Sequence, residues 1–181
     1  MQMDTLNQLD ESEFVKTAGG LVENAKWVVQ LAASKRPFAS IDEMCAAIEE
    51  VIRSISEEAL TDLLNGHPEL SGMEAQEGTM TDESTNEQGR LGLLSLEKEQ
   101  FSKLTSLNQA YSQRFGFPFI IALRLQPDLD AVFAEFGRRL CNSREIEIEN
   151  AIIEIMQVVR GRASNLGNYS ALDRTQSSSN E

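Results

Sequence analysis

Several residue types are scarce in this sequence, and each scarcity excludes a class of site. The 181 residues include one histidine, two cysteines and one tryptophan. The two cysteines, Cys45 and Cys141, lie in separate apolar patterns and form no CxxC pair. We therefore expect no disulfide framework, and no metal site either, because structural zinc needs four clustered Cys or His ligands. No apolar run is long enough to cross a membrane as a helix.

Positively charged residues are also few. The chain has 16 Lys and Arg residues against 29 Asp and Glu residues, which gives a formal net charge of −13. Such an acidic chain repels nucleic-acid phosphates and anionic lipids, so we expect no nucleic acid and no membrane as a partner. An anionic small molecule would bind only where the chain provides a local cationic pocket.

The composition, with 41% hydrophobic and 25% charged residues, is that of a soluble globular protein. The segment from Met1 to Phe14 is too polar for a signal peptide, and the chain ends in Ser-Asn-Glu rather than the peroxisomal Ser-Lys-Leu. These features predict a cytoplasmic location. Residues 1–168 are predicted to form one domain, and the polar residues 169–181 are predicted to be a disordered C-terminal tail.

Apolar residues recur every three or four positions through most of the chain, which predicts an all-α fold in a single compact domain. Capping boxes at Asp10 and Ser40 and a polar start at Ser56 mark three helix beginnings. Trp27 falls in a helical pattern over residues 23–34 and is predicted to be a core residue. No segment has a firm strand pattern.

The single histidine, His67, lies where a helical pattern ends. Gly66 is predicted to end that helix in a left-handed turn, and Pro68 prevents the helix from resuming. The ring is therefore held just past a helix C-terminus. His67 is either a surface or capping residue or a proton carrier, since histidine is the side chain that titrates near neutral pH.

Two later segments depart from helical periodicity. Residues 71–86 are polar and rich in Gly, Thr, Ser and acids, which predicts a long loop. Residues 115–123 are the least polar stretch of the chain, and Gly116 and Pro118 predict irregular backbone there. Buried irregular backbone has polar groups that need partners. A bound polar ligand could supply them, and a kinked core segment is the alternative.

The last helical pattern ends in two arginines on different faces. Ile148, Ile152, Ile155, Val159 and Arg162 follow one another at steps of four and three residues. Arg162 therefore continues the buried stripe, whereas Arg160 is turned away from it. A cation on the buried side of a helix either pairs with an acid or receives an anion.

Four motifs in this order resemble one protein family. They are residues 23–38 with Trp27 and Arg36-Pro37-Phe38, the His67-Pro68-Glu69-Leu70 sequence, Ser84-x-x-Glu87-Gln88, and residues 115–120 followed by a helix that carries Arg162. Together they are similar to the 2-oxo-4-hydroxy-4-carboxy-5-ureidoimidazoline (OHCU) decarboxylases of urate degradation, over roughly residues 14–166.

The resemblance implies an all-α fold of about eight helices, no metal, no organic cofactor and a homodimer. It implies decarboxylation of an anionic small molecule, OHCU, to (S)-allantoin, with His67 and Glu87 as catalytic residues. The residues that it assigns to substrate binding are Pro68, Ser84, Thr85, Asn86, Glu87, Gln88, Phe119, Ile120, Ile121, Ala122, Leu123 and Arg162.

The chemistry of these residues suits the reaction. His67 can exchange a proton with the substrate, Glu87 can hold N–H groups of the ureido substituent or ring and orient the imidazole, and Gln88 offers a donor and an acceptor. Arg162 can bind a carboxylate through its planar guanidinium. Backbone amides near residues 119–121 can form an oxyanion hole. Two alternatives remain: a non-catalytic helical interaction module, and a hydrolase in which His67 and Glu87 activate water.

Overall fold

The computed structural model describes the backbone of residues 3–176 and the side chains of residues 3–166. Ten α-helices and two short 3-10 helices form this part of the chain, which contains no strand. The predicted all-α class is therefore confirmed. Contacts divide the chain into two compact units, Met1–Ile55 with Val158–Glu181, and Ser56–Gln157. The predicted domain limits stay a prediction.

The first unit is built mainly from N-terminal helices. These are α1 (Met3–Gln8), α2 (Glu11–Ala18), α3 (Lys26–Ala33) and α4 (Ile41–Ser54), with a 3-10 helix at Gly19–Leu21. Helix α3 packs against α2 and α4. Its small apolar face, Val28, Val29 and Ala32, is fully buried, so this face supplies the helix packing. The C-terminal part of α10 completes the unit.

The second unit contains the remaining helices and an aromatic core. Its helices are α5 (Glu57–Asn65), α6 (Met73–Glu77), α7 (Asp82–Arg90), α8 (Lys98–Phe115), α9 (Leu129–Arg139) and the first part of α10 (Arg144–Gln176), with a 3-10 helix at Leu123–Leu125. The core rings are those of Tyr111, Phe115, Phe117, Phe119 and Phe136. Tyr111 meets Phe119 edge-to-face and Phe119 stacks on Phe136, at 5.2 and 3.7 Å between ring centroids. These contacts fix the segment between α8 and α9 inside the unit.

The helix beginnings predicted at Asp10, Ser40 and Ser56 are confirmed. Each side chain accepts a hydrogen bond from a backbone N–H in the first turn of its helix, at 2.9, 3.1 and 3.2 Å respectively. These bonds satisfy donors that have no partner within the helix.

The loop predicted over residues 71–86 is wrong, because α6 and most of α7 lie there. Thr81 caps α7 by accepting a hydrogen bond from the Ser84 N–H at 3.2 Å. The predicted core position of Trp27 is also wrong: Trp27 and Leu31 are 39% and 53% exposed. Gly66 ends α5 with φ −71°, so the left-handed turn predicted there is wrong as well.

Helix α10 continues without a break past Gly161 to Gln176. The sequence predicted a disordered tail from residue 169; residues 177–181 lie outside the described part of the chain. Among described residues, no helix is both long and apolar enough to cross a membrane. Over the same residues, no three His, Cys, Asp or Glu side chains are grouped as a metal ion would need.

Candidate active site

His67 is fixed directly after the end of α5. Its backbone N–H donates to the Leu64 carbonyl at 3.1 Å, and its ring Nδ1 lies 3.1 Å from the Leu63 carbonyl oxygen. A carbonyl oxygen can only accept, so this contact requires the hydrogen on Nδ1. Nε2 is then the nitrogen that takes up or releases a proton in the neutral ring. The side chain is half-buried, which leaves it reachable from outside the core.

Buried Gln88 holds the chain that follows His67. Its Oε1 accepts from the Ser71 N–H at 2.8 Å, and its Nε2 donates to the Glu69 carbonyl at 3.2 Å. Both the oxygen and the nitrogen of the Gln88 side-chain amide therefore bind backbone groups of this loop. Because Glu87 precedes Gln88, the same bonds bring the segment with Glu87 to the segment with His67 and Pro68.

Asn108, on α8, provides a further support for this loop. Its Nδ2 donates to the Leu70 carbonyl at 2.9 Å, and the side chain is buried. Among the described residues, its Oδ1 is the buried side-chain atom without a hydrogen-bond partner. The Ser71 hydroxyl adds a short hydrogen bond to the Leu93 carbonyl. Polar side chains from α7 and α8 therefore fix the loop on backbone groups.

Helix α7 separates the five residues of the Ser84–Gln88 motif onto different faces. Successive residues turn by about 100°, so Ser84, Glu87 and Gln88 share one face. Ser84 and Gln88 are buried and Glu87 is half-buried, whereas Thr85 and Asn86 are exposed. The structure therefore places three of these five residues toward the interior of the unit and two toward solvent.

The segment Phe119–Leu123 has the irregular, buried backbone that the sequence predicted. The Ala122 N–H donates to the Glu154 carboxylate at 2.7 Å. The Leu123 carbonyl accepts a short hydrogen bond from Arg90. Charged side chains from α10 and α7 therefore hold the C-terminal half of this segment.

A buried charged cluster holds the other half of the same segment. Arg139 donates from Nη1 to the Ile120 carbonyl at 2.7 Å and from Nε to Glu147 at 2.9 Å. The side chains of Arg139 and Glu147 are 1% and 0% exposed. In the described part of the chain, the backbone N–H groups of Ile120 and Ile121 donate to no other residue. The segment thus offers two amide donors on a backbone fixed by ionic groups.

The electrostatics of this cluster keep Glu147 ionised and Tyr111 protonated. Burial alone would raise the pKa of the Glu147 carboxyl, but hydrogen bonds from Tyr111, Asn142 and Asn150 and the charge of Arg139 lower it below its ordinary value. Burial raises the pKa of the Tyr111 hydroxyl well above its usual range, and Arg139 only partly opposes this. Arg139 and Glu147 therefore form a buried ion pair at neutral pH.

The sequence analysis did not identify Arg139 or Glu147 as site residues. The sequence pattern that marks them is the same spacing of buried residues that identified Arg162. Val132, Phe136 and Arg139 follow at steps of four and three, so Arg139 ends a buried stripe of α9. Glu147 likewise lies four residues before the buried Ala151 on α10.

Arg162 belongs to the first unit, whereas the other predicted site residues belong to the second. Its Nη1 donates to Glu23 at 2.8 Å and to the Gly20 carbonyl at 3.0 Å. The side chain is 8% exposed, against 42% for Arg160, which pairs with Glu49 at 3.4 Å. The prediction that Arg162 is more buried than Arg160 is confirmed. Of the two roles expected for a buried cation, the structure shows pairing with an acid. The substrate-binding role of Arg162 stays a prediction.

Residues 7–164 match the family described as OHCU decarboxylase. The chain belongs to the OHCU decarboxylase family. This confirms the resemblance found in the four motifs. The match covers residues of both units and every predicted site residue.

Relatives with this name align with the chain over nearly their whole length. The chain is 32% identical to the 2-oxo-4-hydroxy-4-carboxy-5-ureidoimidazoline decarboxylase of Xenopus laevis, over 92% of this chain and 94% of that protein. It is 34% identical to the protein of the same name from Haloferax volcanii, over 90% and 94%. It is also 33% identical to the uric acid degradation bifunctional protein PucL of Bacillus subtilis, over 91% of this chain, and it spans 32% of that longer protein.

Two solved structures share the fold of this OHCU decarboxylase family member. A crystal structure of (S)-allantoin synthase aligns with a TM-score of 0.72 and 22% identity, over 92% of this chain and 53% of that one. A crystal structure of OHCU decarboxylase in the presence of (S)-allantoin aligns with a TM-score of 0.61 and 16% identity, over 87% and 98%. Both are similar to this chain in fold.

Proposed function

We propose that this chain decarboxylates OHCU to (S)-allantoin in urate degradation, without a cofactor. The family membership and the names of the full-length relatives support the reaction. The observation that carries the mechanism is the contact of 3.1 Å between Nδ1 of the only histidine and the Leu63 carbonyl oxygen. Its Nδ1–H is bound to the Leu63 carbonyl, so Nε2 is the proton-transfer atom.

The proton transfers are assigned to His67. Loss of CO2 breaks a carbon–carbon bond, leaves its electron pair in the ring system of the substrate, and leaves a carbon that must be protonated. His67 exchanges a proton with the substrate through Nε2 and protonates one face of that carbon. General acid–base help of this kind is worth roughly 10²–10⁴-fold in rate. Delivery to one face explains a single enantiomer of the product.

Glu87 is assigned to the orientation of the substrate. It lies half-buried on the same face of α7 as Ser84 and Gln88, and a carboxylate accepts hydrogen bonds from ureido or ring N–H groups. Gln88 already binds Ser71 and Glu69 of the His67 loop, so we assign it mainly to holding this loop. Thr85 and Asn86 keep their predicted role only if the substrate reaches the exposed side of α7.

The amides of Phe119–Leu123 are assigned to charge stabilisation. The Ile120 and Ile121 N–H groups donate to no other described residue, and both residues are buried. Fixed donors in a water-poor setting stabilise an oxygen that gains negative charge during the reaction, and loss of one such donor costs roughly 10²–10³-fold in kcat.

Two further expectations accompany the reaction. We propose a homodimer and a cytoplasmic location, as the resemblance and the sequence imply. Light scattering on the purified protein tests the first, because a dimer has about twice the chain mass of 20.1 kDa. A monomer with full activity would remove the dimer from the mechanism.

The reaction is tested by adding the protein to freshly prepared OHCU. CO2 release and the circular dichroism of the allantoin formed are followed together, with and without a metal chelator. We expect rapid CO2 release and one allantoin enantiomer in both samples. An interaction module would leave the spontaneous rate unchanged. A hydrolase would consume OHCU without releasing CO2, and loss of activity with the chelator would contradict a cofactor-free reaction.

His67→Asn tests the assigned proton carrier. An amide cannot transfer a proton at neutral pH, so turnover should fall by at least about 10²-fold. Helical circular dichroism and the melting temperature should stay close to wild type, because the half-buried ring contributes little packing. His67→Gly with added imidazole is the companion measurement, and partial recovery of the rate is expected. A well-folded and fully active His67→Asn protein would exclude His67 from the mechanism.

A further inference from the structure

The Arg139–Glu147 ion pair is buried, and an ion pair in such a position adds little to the net stability of the protein. Removing both charges from water is unfavourable, and their mutual attraction offsets this only with complete hydrogen bonding. The cluster does form such hydrogen bonds, and one of them is made to a group outside the ion pair. It joins Arg139 Nη1 to the Ile120 carbonyl at 2.7 Å. The cluster therefore acts on the backbone of the candidate site.

The bond to the Ile120 carbonyl also determines the direction of the next amide. The Ile120 carbonyl and the Ile121 N–H belong to one planar peptide unit, which is trans. In a trans peptide the C=O and N–H bonds point in opposite directions. When Arg139 holds the carbonyl, the Ile121 N–H must point away from Arg139.

The guanidinium has little freedom to move. Its Nε binds Glu147 at 2.9 Å and its Nη2 donates to the Tyr111 hydroxyl at 3.2 Å. Its central carbon lies 4.6 Å from the centre of the Phe119 ring. Glu147 is in turn held by Asn142 and by Asn150 on α10. A planar group with three separate contacts transmits a fixed orientation to the carbonyl.

We propose that Arg139 is a positioning residue, which holds the Ile120 carbonyl so that the Ile121 N–H is presented to the substrate oxygen that gains negative charge. The inference rests on the proposed decarboxylation. Arg139 itself does not touch the substrate. Its contribution is the direction of one backbone donor, and Glu147 and Tyr111 contribute by fixing the guanidinium.

The test compares Arg139→Lys with Arg138→Lys. A lysine at 139 keeps the positive charge beside Glu147, but its ammonium lacks the planar fork that reaches both Glu147 and the Ile120 carbonyl. Arg138 is the preceding residue of α9, and its exposed side chain pairs with Glu135, so it controls for the same chemical change. For Arg139→Lys we expect kcat to fall by roughly 10- to 100-fold, with KM changed by less than about threefold. Arg138→Lys should match wild type in both constants.

A second readout does not depend on the reaction. In protein labelled with 15N-isoleucine, the Ile121 amide resonance is assigned by its loss in Ile121→Val. Arg139→Lys should move this resonance, and Arg138→Lys should leave it in place. If wild type does not decarboxylate OHCU but the resonance moves, the proposed function fails, and with it the catalytic purpose of the positioning, while the hold of Arg139 on the Ile120–Ile121 peptide unit is supported. If wild type is active and Arg139→Lys is folded with unchanged kcat, the positioning role is overturned.

A neutral variant covers the case in which Arg139→Lys does not fold. Arg139→Met combined with Glu147→Leu removes both charges together, and such replacements are often neutral for stability. We expect a folded protein with the same loss of kcat. A folded and fully active double variant would overturn the proposal. Failure of both variants to fold would assign the cluster to stability and would overturn it as well.

Discussion

Gln88→Met is expected to destabilise the protein and, through the loosened loop, to reduce its activity. Methionine has a similar length and shape, but it lacks the amide groups that bind the loop after His67. The change would leave the Ser71 N–H without the partner it now has at 2.8 Å, whereas the Glu69 carbonyl would lose the Gln88 amide at 3.2 Å and keep the Gly72 N–H at 3.1 Å. Gln88 is 3% exposed, so water cannot reach these groups unless the loop moves.

The size of the effect follows from one buried backbone donor, the Ser71 N–H. A buried polar group left without a partner costs about 1–3 kcal/mol. For a chain of this length, 1 kcal/mol corresponds to about 2–4 °C in melting temperature. The expected decrease is therefore roughly 2–12 °C, and the rate should fall because the loop that follows His67 is less firmly held.

The matched comparison is Glu87→Gln, one residue earlier on α7. Glu87 is half-buried on the same helix face, and its assigned role is to bind substrate. Its replacement should reduce kcat/KM and leave the melting temperature close to wild type. Differential scanning calorimetry and steady-state kinetics on both variants separate the two roles.

The opposite pattern would refute this reasoning. A Gln88→Met protein with a wild-type melting temperature and weaker substrate binding would mean that the amide binds substrate. A Glu87→Gln protein that melts early with normal kinetics would make Glu87 the structural residue.

Two other predictions concern charged side chains. Arg162→Lys should lower kcat/KM by about one to two decades, since a buried charged hydrogen bond is worth ~1.5–3 kcal/mol. Arg160→Lys should have little effect. Steady-state kinetics on both variants tests this, and the reverse order would refute the helical-wheel argument. Burial, and then the charge of Glu74, raise the pKa of the Glu69 carboxyl. The free energy of unfolding should therefore fall as pH rises through and above the ordinary carboxyl range. The Glu69→Gln protein should be more stable than wild type at pH 7 but not at pH 3, as measured by urea unfolding.

The helices that bury apolar stripes could be predicted from sequence, but α7 could not. The residues that α7 buries are Ser84 and Gln88, and both are polar. Its stabilising contacts are side-chain hydrogen bonds to a distant loop, which leave no apolar period in the sequence. Helix α6 buries no residue at all. A composition-based reading therefore gives a loop in both places.

The error at Trp27 has a different physical origin. Helix α3, Lys26–Ala33, has apolar residues on most of its circumference, so periodicity alone does not select one buried face. The small side chains Val28, Val29 and Ala32 form the face that packs against neighbouring helices, and the larger Trp27 is left partly exposed. Size alone is a poor guide to burial when the neighbouring helix faces are close together.

The sequence nominates His67 and Glu87 as catalytic residues because the resemblance and the chemistry of their side chains both indicate them, and this assignment stays a prediction. Arg139 could have been predicted from the same stripe argument that was applied to Arg162. The residue type alone does not indicate burial, because an arginine in the last turn of α9 also suits the negative end of the helix dipole, where basic residues are common. Its buried partner, Glu147, lies eight residues later on the next helix.

The backbone donors of Phe119–Leu123 are the part of the candidate site that sequence describes least. Every residue except proline has an N–H, so the residue type says nothing about which N–H is unpaired. What the sequence does contain is the means of orienting them. Arg139 and Glu154 bind the Ile120 carbonyl and the Ala122 N–H respectively, and the peptide unit at each end of Ile121 is thereby held. In the proposed mechanism, a site made of backbone groups is thus encoded in charged residues that do not contact the substrate.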